Sequence, residues 1–288
     1  MSWSFWANVY AVTNQERFFD WGNGLSSDNL LFTPSYGTSG DMGMSIYNGA
    51  AHADQLVGAT PTINTWNHFV LTVDASGRVC VYQNGTQLAA LVNNPPNTVV
   101  RTNMYLGRSN FEGPNNPNAK FNGSMYDFQF ALGYVFTAYD VANLFNGLGC
   151  PTNPPPPPPL PPSNDHVVCP KVTNRWPLNS GYASGATVLD TVGNWNGVTY
   201  GGYSYIAGAA APFGAIALDG VSGYVQVGPQ AGASAGPCRC RSGPTCTLRQ
   251  STSGFSTGGT GLPPTTSSSR RASVANPWVS QSTRGRLM

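Results

Sequence analysis

Six consecutive prolines, Pro154 to Pro159, constrain this chain more than any other feature. Proline fixes φ at about −65° and has no backbone N–H, so the run continues neither a helix nor the interior of a sheet. It predicts an extended polyproline II segment of roughly 20 Å. Ten of the 24 prolines fall within residues 151–170. We therefore expect residues 151–173 to be a proline-rich linker.

The first segment, residues 1–150, has the pattern of an all-β protein. Phe69, Leu71 and Val73 would share one face of a strand, with Asn67, His68 and Thr72 interleaved, which indicates one buried face. Asn84-Gly85 predicts a two-residue hairpin, because both positions favour positive φ. Several short strands separated by Gly, Asn and Pro turns are typical of an antiparallel β-sandwich.

One short helix is predicted after the last of these strands. Thr137 is a good N-cap residue, and Asp140 follows three residues later, as in a capping box. Val141 and Leu144 would share one face, and Gly147 provides a stop signal. The helix should therefore cover part of an otherwise all-β unit.

Two further segments follow the linker. Residues 174–228 are again β-like, whereas residues 229–288 consist mostly of Ser, Thr, Gly, Pro and Arg. Residues 1–228 carry seven basic and twelve acidic side chains, a net charge of −5, and residues 229–288 carry seven arginines and no acid. A segment with so few apolar residues cannot offset its ordering entropy, so we expect a disordered tail.

Charge and hydropathy exclude two classes of protein. The net charge of +2 does not fit a strongly basic nucleic-acid binder. The sequence contains no run of 18 or more apolar residues, so it predicts no membrane span. The residues after Met1 are aromatic and strand-like rather than a signal peptide. Either the product is not secreted or Met1 is not the native start.

Five stretches of the chain carry a family resemblance. In order, they are SFWANVY, WNHFVLTVDASGRVCVYQNGTQLAAL, MYLGRSN, FNGSMYDFQF and FTAYDVANLFNG. Together they resemble laminin-G-like domains of the concanavalin A-like lectin/glucanase superfamily, over about residues 3–147. The resemblance implies a jelly-roll arrangement of the β-sandwich.

The same resemblance raises a question about residues 174–228. Laminin-G-like modules begin with strands that precede the Phe-Trp strand, and RWPLNS, DTVGNWNGVTYGG and AIALDGVSGYVQVG look like those strands. In one interpretation, residues 174–228 are the N-terminal part of a second module in a tandem array. In the other, they fold back and complete the sandwich of residues 1–150. We expect the first.

The resemblance also suggests a role. It implies a noncatalytic recognition or adhesion module that binds a glycan or an extracellular protein, located outside the cell or in the cell wall. The linker is similar to proline-rich spacers of plant and green-algal wall glycoproteins. A purely structural matrix component is the alternative.

Glycoside hydrolysis, known in the glucanase branch, is disfavoured. Retaining hydrolysis needs two carboxylates about 5–5.5 Å apart. The chain has only two glutamates, Glu16 and Glu112, and no Glu-x-Asp-x-Glu pattern. The G-x-S-x-G match at 232–236 has no later Asp, Glu or His to complete a triad. We therefore expect no enzyme activity.

A weak calcium site is a further expectation from the resemblance, since laminin-G-like sandwiches often bind Ca²⁺ at a loop rim. Hard oxygen donors suit this ion. Asp28 and Asp41 are the candidate ligands, each the one acid of its loop. The alternative is that both only cap the backbone of their own turns.

Aromatic residues beside Asn-rich loops are the candidate glycan contacts. Aromatic faces pack on sugar rings while amides bind hydroxyl groups. The candidates are Trp21, Tyr36, Tyr47, Phe111, Asn115 and Asn116. A sandwich core also needs aromatic residues, so each aromatic candidate could instead be a core residue.

Covalent modification is possible at four positions. Asn84 and Asn122 begin N-glycosylation sequons, which matter only in a secreted chain. Cys150 and Cys169 flank the linker and could form a disulfide in an oxidising compartment, or remain free thiols.

Overall fold

The computed structural model describes residues 1–37, 39–113, 120–147, 171–207 and 214–228. They form two antiparallel sheets packed face to face, which confirms the predicted β-sandwich. Residues 148–170 and 229–288, which contain the predicted tail and all of the predicted linker except residues 171–173, lie outside the described residues.

The eight-stranded sheet has the order β15-β16-β10-β1-β6-β7-β8, with β11 also paired to β10. Its strands are β1 (Ser2–Ala11), β6 (Trp66–Val73), β7 (Arg78–Gln83), β8 (Thr86–Val92), β10 (Asn122–Ala131), β11 (Asn174–Trp176), β15 (Tyr203–Ile206) and β16 (Ala215–Asp219).

The nine-stranded sheet has the order β12-β13-β14-β17-β9-β2-β3-β4-β5. Its strands are β2 (Phe19–Gly22), β3 (Leu30–Tyr36), β4 (Asp41–Asn48), β5 (Ala51–Ala59), β9 (Asn103–Leu106), β12 (Ala183–Ser184), β13 (Thr187–Val188), β14 (Gly197–Tyr200) and β17 (Tyr224–Val227). A 3-10 turn at Ser180–Tyr182 precedes β12.

The core between the sheets is rich in aromatic side chains. Phe5 stacks on Phe128, with ring centroids 5.1 Å apart. Trp3 stacks on Phe19 at 5.2 Å. Offset and tilted contacts of this kind add to the large apolar area that each ring buries. Phe69, Leu71 and Val73, which the sequence places on one face of a strand, all lie in this core.

The predicted hairpin is confirmed. Asn84 and Gly85 have φ of 50° and 78°, and Gln83 pairs with Thr86 across the turn. The predicted helix is also present as α1 (Ala138–Phe145). It buries Val141 and Leu144 in one cluster with Val70 and Tyr82 of the eight-stranded sheet.

The N-terminus of α1 is closed by the predicted capping box. The Thr137 hydroxyl accepts from the Asp140 backbone N–H at 3.2 Å, and the Asp140 carboxylate accepts from the Thr137 N–H at 2.8 Å. We expect Thr137→Ala to lower the free energy of unfolding by about 1 kcal/mol. Urea denaturation of the full chain measures this change, and a loss below the error of the measurement would contradict it.

The described residues between 174 and 227 adopt the fold-back arrangement, in which they complete the first sandwich, rather than the expected start of a separate second module. Strands β11 and β16 pair with β10, and β17 pairs with β9. Trp176 and Val225 are fully buried in the core cluster that also holds Phe5. The physical reason is that β10 and β9 would otherwise be open edges over an uncovered apolar core. The domain limits at 151, 174 and 229 remain predictions.

An ion pair also joins the two segments. Arg175 Nε donates to Asp127 Oδ1 at 2.6 Å, and both side chains are largely buried. Asp127 has φ of 52°, in the left-handed region. Because a buried charge is costly without its partner, this pair favours one register of β11 on β10.

Candidate functional site

The outer face of the nine-stranded sheet carries the candidate site. Leu30 and Phe32 of β3 point into the core, so Leu31 points outward. Leu31 lies directly opposite Asp20 of β2 and Ser45 of β4. Ser45 in turn lies opposite Asp54 of β5. These side chains therefore form one row across four strands, on the face away from the core.

A groove of about 280 Å³ runs over this row. It is lined by Gln15, Arg17, Leu31, Tyr36, Ser45, Tyr47, Asp54 and Phe111. Three of the aromatic residues predicted to contact a glycan, Tyr36, Tyr47 and Phe111, therefore meet at one place.

Aromatic rings form one wall of the groove. Tyr47 contacts Phe111, with ring centroids 5.4 Å apart, and stacks on His52 at 4.7 Å. Tyr36 also lines the groove, and its side chain lies against Gly43 of β4. A Cβ at position 43 would approach the Tyr36 Cβ to 2.6 Å, so glycine is needed for Tyr36 to take this position.

Arg17 lies among the lining residues and is buried. Its Nη1 donates to the Gln15 carbonyl at 2.6 Å and to Gln15 Oε1 at 3.0 Å. Its Nε is 4.0 Å from Asp20 Oδ2 and has no hydrogen-bond partner in the described part of the chain. Burial lowers the pKa of Arg17, and the charge of Asp20 opposes that shift. Arg17 therefore supplies a positive charge at the groove, while its Nε is enclosed by protein atoms.

Asp54 supplies the carboxylate of the groove. Ser45 donates to Asp54 Oδ1 at 2.5 Å, and His52 Nε2 is 3.4 Å from Asp54 Oδ2. Burial, followed by the hydrogen bond and charge of Asp54, raises the pKa of Tyr36. The Tyr36 hydroxyl therefore stays protonated and remains a hydrogen-bond donor or acceptor.

The loop of residues 107–113, which carries Phe111, is fastened to β2 through Asp20. The Asn110 backbone N–H donates to Asp20 Oδ2 at 2.8 Å, and Asn110 Nδ2 donates to Oδ1 at 3.0 Å. Asn29 donates to the same Oδ1 at 2.8 Å. Because Asp20 is fully buried, this network sets the position of Phe111 above the sheet.

The other predicted glycan contacts are not in the groove. Trp21 is 1% exposed and packs edge-on against Phe130 in the core, with centroids 4.8 Å apart. It is therefore a core residue, which corrects its assignment as a ligand contact. Asn115 and Asn116 lie outside the described residues.

The predicted calcium ligands do not converge. Asp28 Oδ1 already accepts from Asn97 Nδ2 at 2.7 Å and from the Gly49 N–H at 2.9 Å. Asp41 lies at the start of β4. Within the described ranges no three His, Cys, Asp or Glu side chains form a group suited to a metal ion. The donor set at Asp28 and Asp41 therefore does not fit Ca²⁺, which prefers six to eight oxygen ligands.

The two sequons differ in their surroundings. Asn84 is exposed in its hairpin turn, although its Nδ2 donates to Asn67 at 3.0 Å. Asn122 begins β10, and its sequon partner Ser124 is buried and hydrogen-bonded to Tyr10. Asn84 is therefore the more accessible of the two. Cys150 and Cys169 lie outside the described residues.

Comparison with known families identifies the sandwich. Residues 1–142 match the laminin-G-like family model of the Concanavalin A-like lectin/glucanases superfamily. This match confirms the family resemblance over residues 1–142, which the sequence indicates. A search of curated proteins found no match.

Comparison with solved structures found similarities at low sequence identity. Domain 4 of AbnA, a GH43 extracellular arabinanase from Geobacillus stearothermophilus, in complex with arabinotriose, is 22% identical, with a TM-score of 0.40. The match covers 49% of this chain and 64% of that chain. A putative carbohydrate binding protein from Bacteroides ovatus is 18% identical, with a TM-score of 0.46, covering 68% and 51%. The Ruminococcus gnavus IT-sialidase CBM40 bound to α2,3 sialyllactose is 15% identical, with a TM-score of 0.38, covering 50% and 81%.

No helix in the part of the chain that the structure describes combines the length and the apolar character required to cross a lipid bilayer.

Proposed function

We propose that this protein is a noncatalytic recognition module that binds a glycan in the groove of the nine-stranded sheet. The observation that carries the proposal is the composition of the groove walls. Aromatic rings of Tyr36, Tyr47 and Phe111 line the groove together with hydrogen-bonding groups of Arg17, Gln15 and Asp54. A sugar presents apolar C–H faces together with hydroxyl groups, and this arrangement offers a partner to both.

The groove suits binding better than hydrolysis. Asp54 is the one carboxylate among its eight lining residues. Retaining glycosidases need two carboxyl groups about 5–5.5 Å apart, and inverting enzymes need a wider pair. A single acid that already accepts a hydrogen bond from Ser45 is better suited to bind a sugar hydroxyl group.

The match of residues 1–142 to the laminin-G-like family model supports an extracellular or wall-associated location, where an adhesion role follows from glycan binding. A purely structural role remains the alternative, and it predicts no saturable binding at the groove.

We expect Tyr47→Ala and Phe111→Ala each to weaken glycan binding about tenfold or more, because each removes an apolar wall of the groove. Glycan-array binding of the full chain identifies the strongest saccharide, and isothermal titration calorimetry measures its Kd for each variant. Tyr139→Ala is the matched control, since Tyr139 is 60% exposed on α1, which packs on the other sheet. Unchanged Kd in both groove variants, or no saturable binding to any saccharide, would overturn the proposal.

A further inference from the structure

A second cluster of aromatic side chains lies on the same sheet, on β9, β14 and β17. Tyr200 lies directly opposite Tyr224, and their rings stack with centroids 4.8 Å apart. Tyr105 contacts Tyr224 edge-on at 5.7 Å. Their neighbours Leu106 and Val225 point into the core, so all three tyrosines point outward. We call Tyr105, Tyr200 and Tyr224 the tyrosine cluster.

Arg108 lies over this cluster in a fixed orientation. Its Cζ is 4.9 Å from the ring centre of Tyr105 and 4.6 Å from that of Tyr224. Its Nε donates to Glu112 Oε2 at 2.8 Å. Two cation–π contacts and a charged hydrogen bond restrict a side chain that otherwise has many rotamers. The guanidinium group is therefore held in place before any ligand arrives.

Several donors at this cluster have no partner. Within the described residues, neither Nη atom of Arg108 and none of the three tyrosine hydroxyl groups makes a hydrogen bond. An unoccupied pair of guanidinium N–H groups matches the two oxygens of a carboxylate in a bidentate pair. The tyrosine hydroxyl groups add neutral donors on the same face.

The local charge favours an anion. Glu112 forms ion pairs with both Arg108 and Lys120, so the three side chains together carry a net charge of +1. This positive charge stands out in a segment, residues 1–228, whose net charge is −5. An anionic group placed at Arg108 gains this attraction, and salt would weaken it.

We propose that Arg108 and the tyrosine cluster form a subsite for the carboxylate of an acidic glycan, an inference that rests on the proposed function. Tyr105 and Ser45 lie in the same cross-strand row, three strands apart, which is about 14 Å. An oligosaccharide spans such a distance. The proposed ligand therefore places one uronic acid residue at Arg108 and neighbouring residues toward the groove.

Affinity measurements on the full chain test this subsite. The probes are an oligogalacturonate, its methyl ester, which is neutral, and a sulfated oligosaccharide of similar length. We expect the oligogalacturonate to bind at least about tenfold more tightly than the ester, with an affinity that falls as salt rises. Arg108→Ala should remove this preference, and Arg108→Lys should remove most of it, because lysine keeps the charge but loses the bidentate geometry.

Arg78→Ala is the matched control, because Arg78 is exposed on the eight-stranded sheet. Circular dichroism confirms that each variant is folded. Two results with the wild type would overturn the proposed subsite: equal affinity for the acid and the ester, or a preference for the sulfated probe. Two results with the variants would also overturn it: an unchanged preference for the acid in Arg108→Ala, or an equal loss of that preference in Arg78→Ala. A Tyr47→Ala variant separates the two proposals. If Tyr47→Ala binds all probes like the wild type while Arg108→Ala does not, the proposed glycan binding in the groove is contradicted and the proposed subsite at Arg108 is supported.

Discussion

Replacing Trp176 by alanine should lower the free energy of unfolding of the whole sandwich by about 3–5 kcal/mol. Trp176 is fully buried, and its ring lies 6.4 Å from Trp21 and 6.3 Å from Phe128. Its indole N–H also donates to the Trp195 carbonyl at 2.6 Å. The substitution leaves a large cavity and removes the partner of that carbonyl, so both effects act in the same direction.

The strands that lose stability in Trp176→Ala distinguish the two arrangements of residues 174–228. If this segment completes the first sandwich, hydrogen exchange should accelerate in β10 and β1 as well as in β11. Tyr182→Ala is the control from the same segment, because Tyr182 is 41% exposed and its loss should cost less than about 0.5 kcal/mol. Full protection of β10 and β1 in Trp176→Ala would instead indicate that residues 1–147 fold without the segment.

Local features of this fold could be predicted from sequence because short-range chemistry determines them. Asn84-Gly85 occupies positive φ, and Thr137 with Asp140 closes the helix, as the residue types require. These features depend on the backbone preferences of two to four neighbouring residues. The spacing of Phe69, Leu71 and Val73 similarly identifies a buried face without any knowledge of the partner strand.

The pairing of residues 174–227 with β9 and β10 could not be predicted in the same way. A strand pattern shows which side chains are buried but not which edge the strand joins. The resemblance of RWPLNS to the opening of a module indicated a second module, whereas the structure uses that stretch to cover the first core. The sequence does not show that β9 and β10 would be open edges of their sheets, because this depends on how all the other strands are arranged.

Only part of the candidate site could be predicted from the sequence, because the sequence shows the type of a residue but not the direction of its side chain. Tyr36, Tyr47 and Phe111 were recognised by type, and they do line one groove. Trp21 has the same chemistry but lies in the core, because its position on β2 faces inward. Arg17 was missed, since an isolated arginine carries no sequence signal. Its buried Nε and its contact with Gln15 emerge only from the tertiary structure.

Loop 107–113 connects the two proposed binding regions. Phe111 lines the groove, whereas Arg108 lies over the tyrosine cluster three residues earlier. Both depend on the bonds from Asn110 and Ser109 to the buried Asp20. A change at Asp20 would therefore disturb both regions together, so tests of each region need variants at the contact residues themselves.

A buried carboxyl group outside both regions makes stability depend on pH. Glu16 is fully buried next to the groove residue Arg17. Burial raises the pKa of Glu16 to about 8, although hydrogen bonds from the Thr13 and Asn122 N–H groups oppose the shift. The second of these bonds, 3.4 Å long, joins the turn before β2 to the start of β10. Ionisation of Glu16 therefore places an unpaired charge between two elements of the sandwich.

The sign of the effect follows from the direction of this shift. The folded protein holds the Glu16 proton more tightly than the unfolded chain, so this contribution to stability is complete below pH 4.5 and is lost as pH rises to about 8. The free energy of unfolding falls by at most about 1.4 kcal/mol per pH unit, and by about 3–5 kcal/mol in total.

Glu16→Gln cannot ionise, so its free energy of unfolding should change much less between pH 5 and pH 8. Urea denaturation of both proteins across that range measures the two slopes, and the three histidines contribute equally to both. Parallel slopes would show that the Glu16 carboxylate is stabilised in the folded state and that its pKa is close to normal.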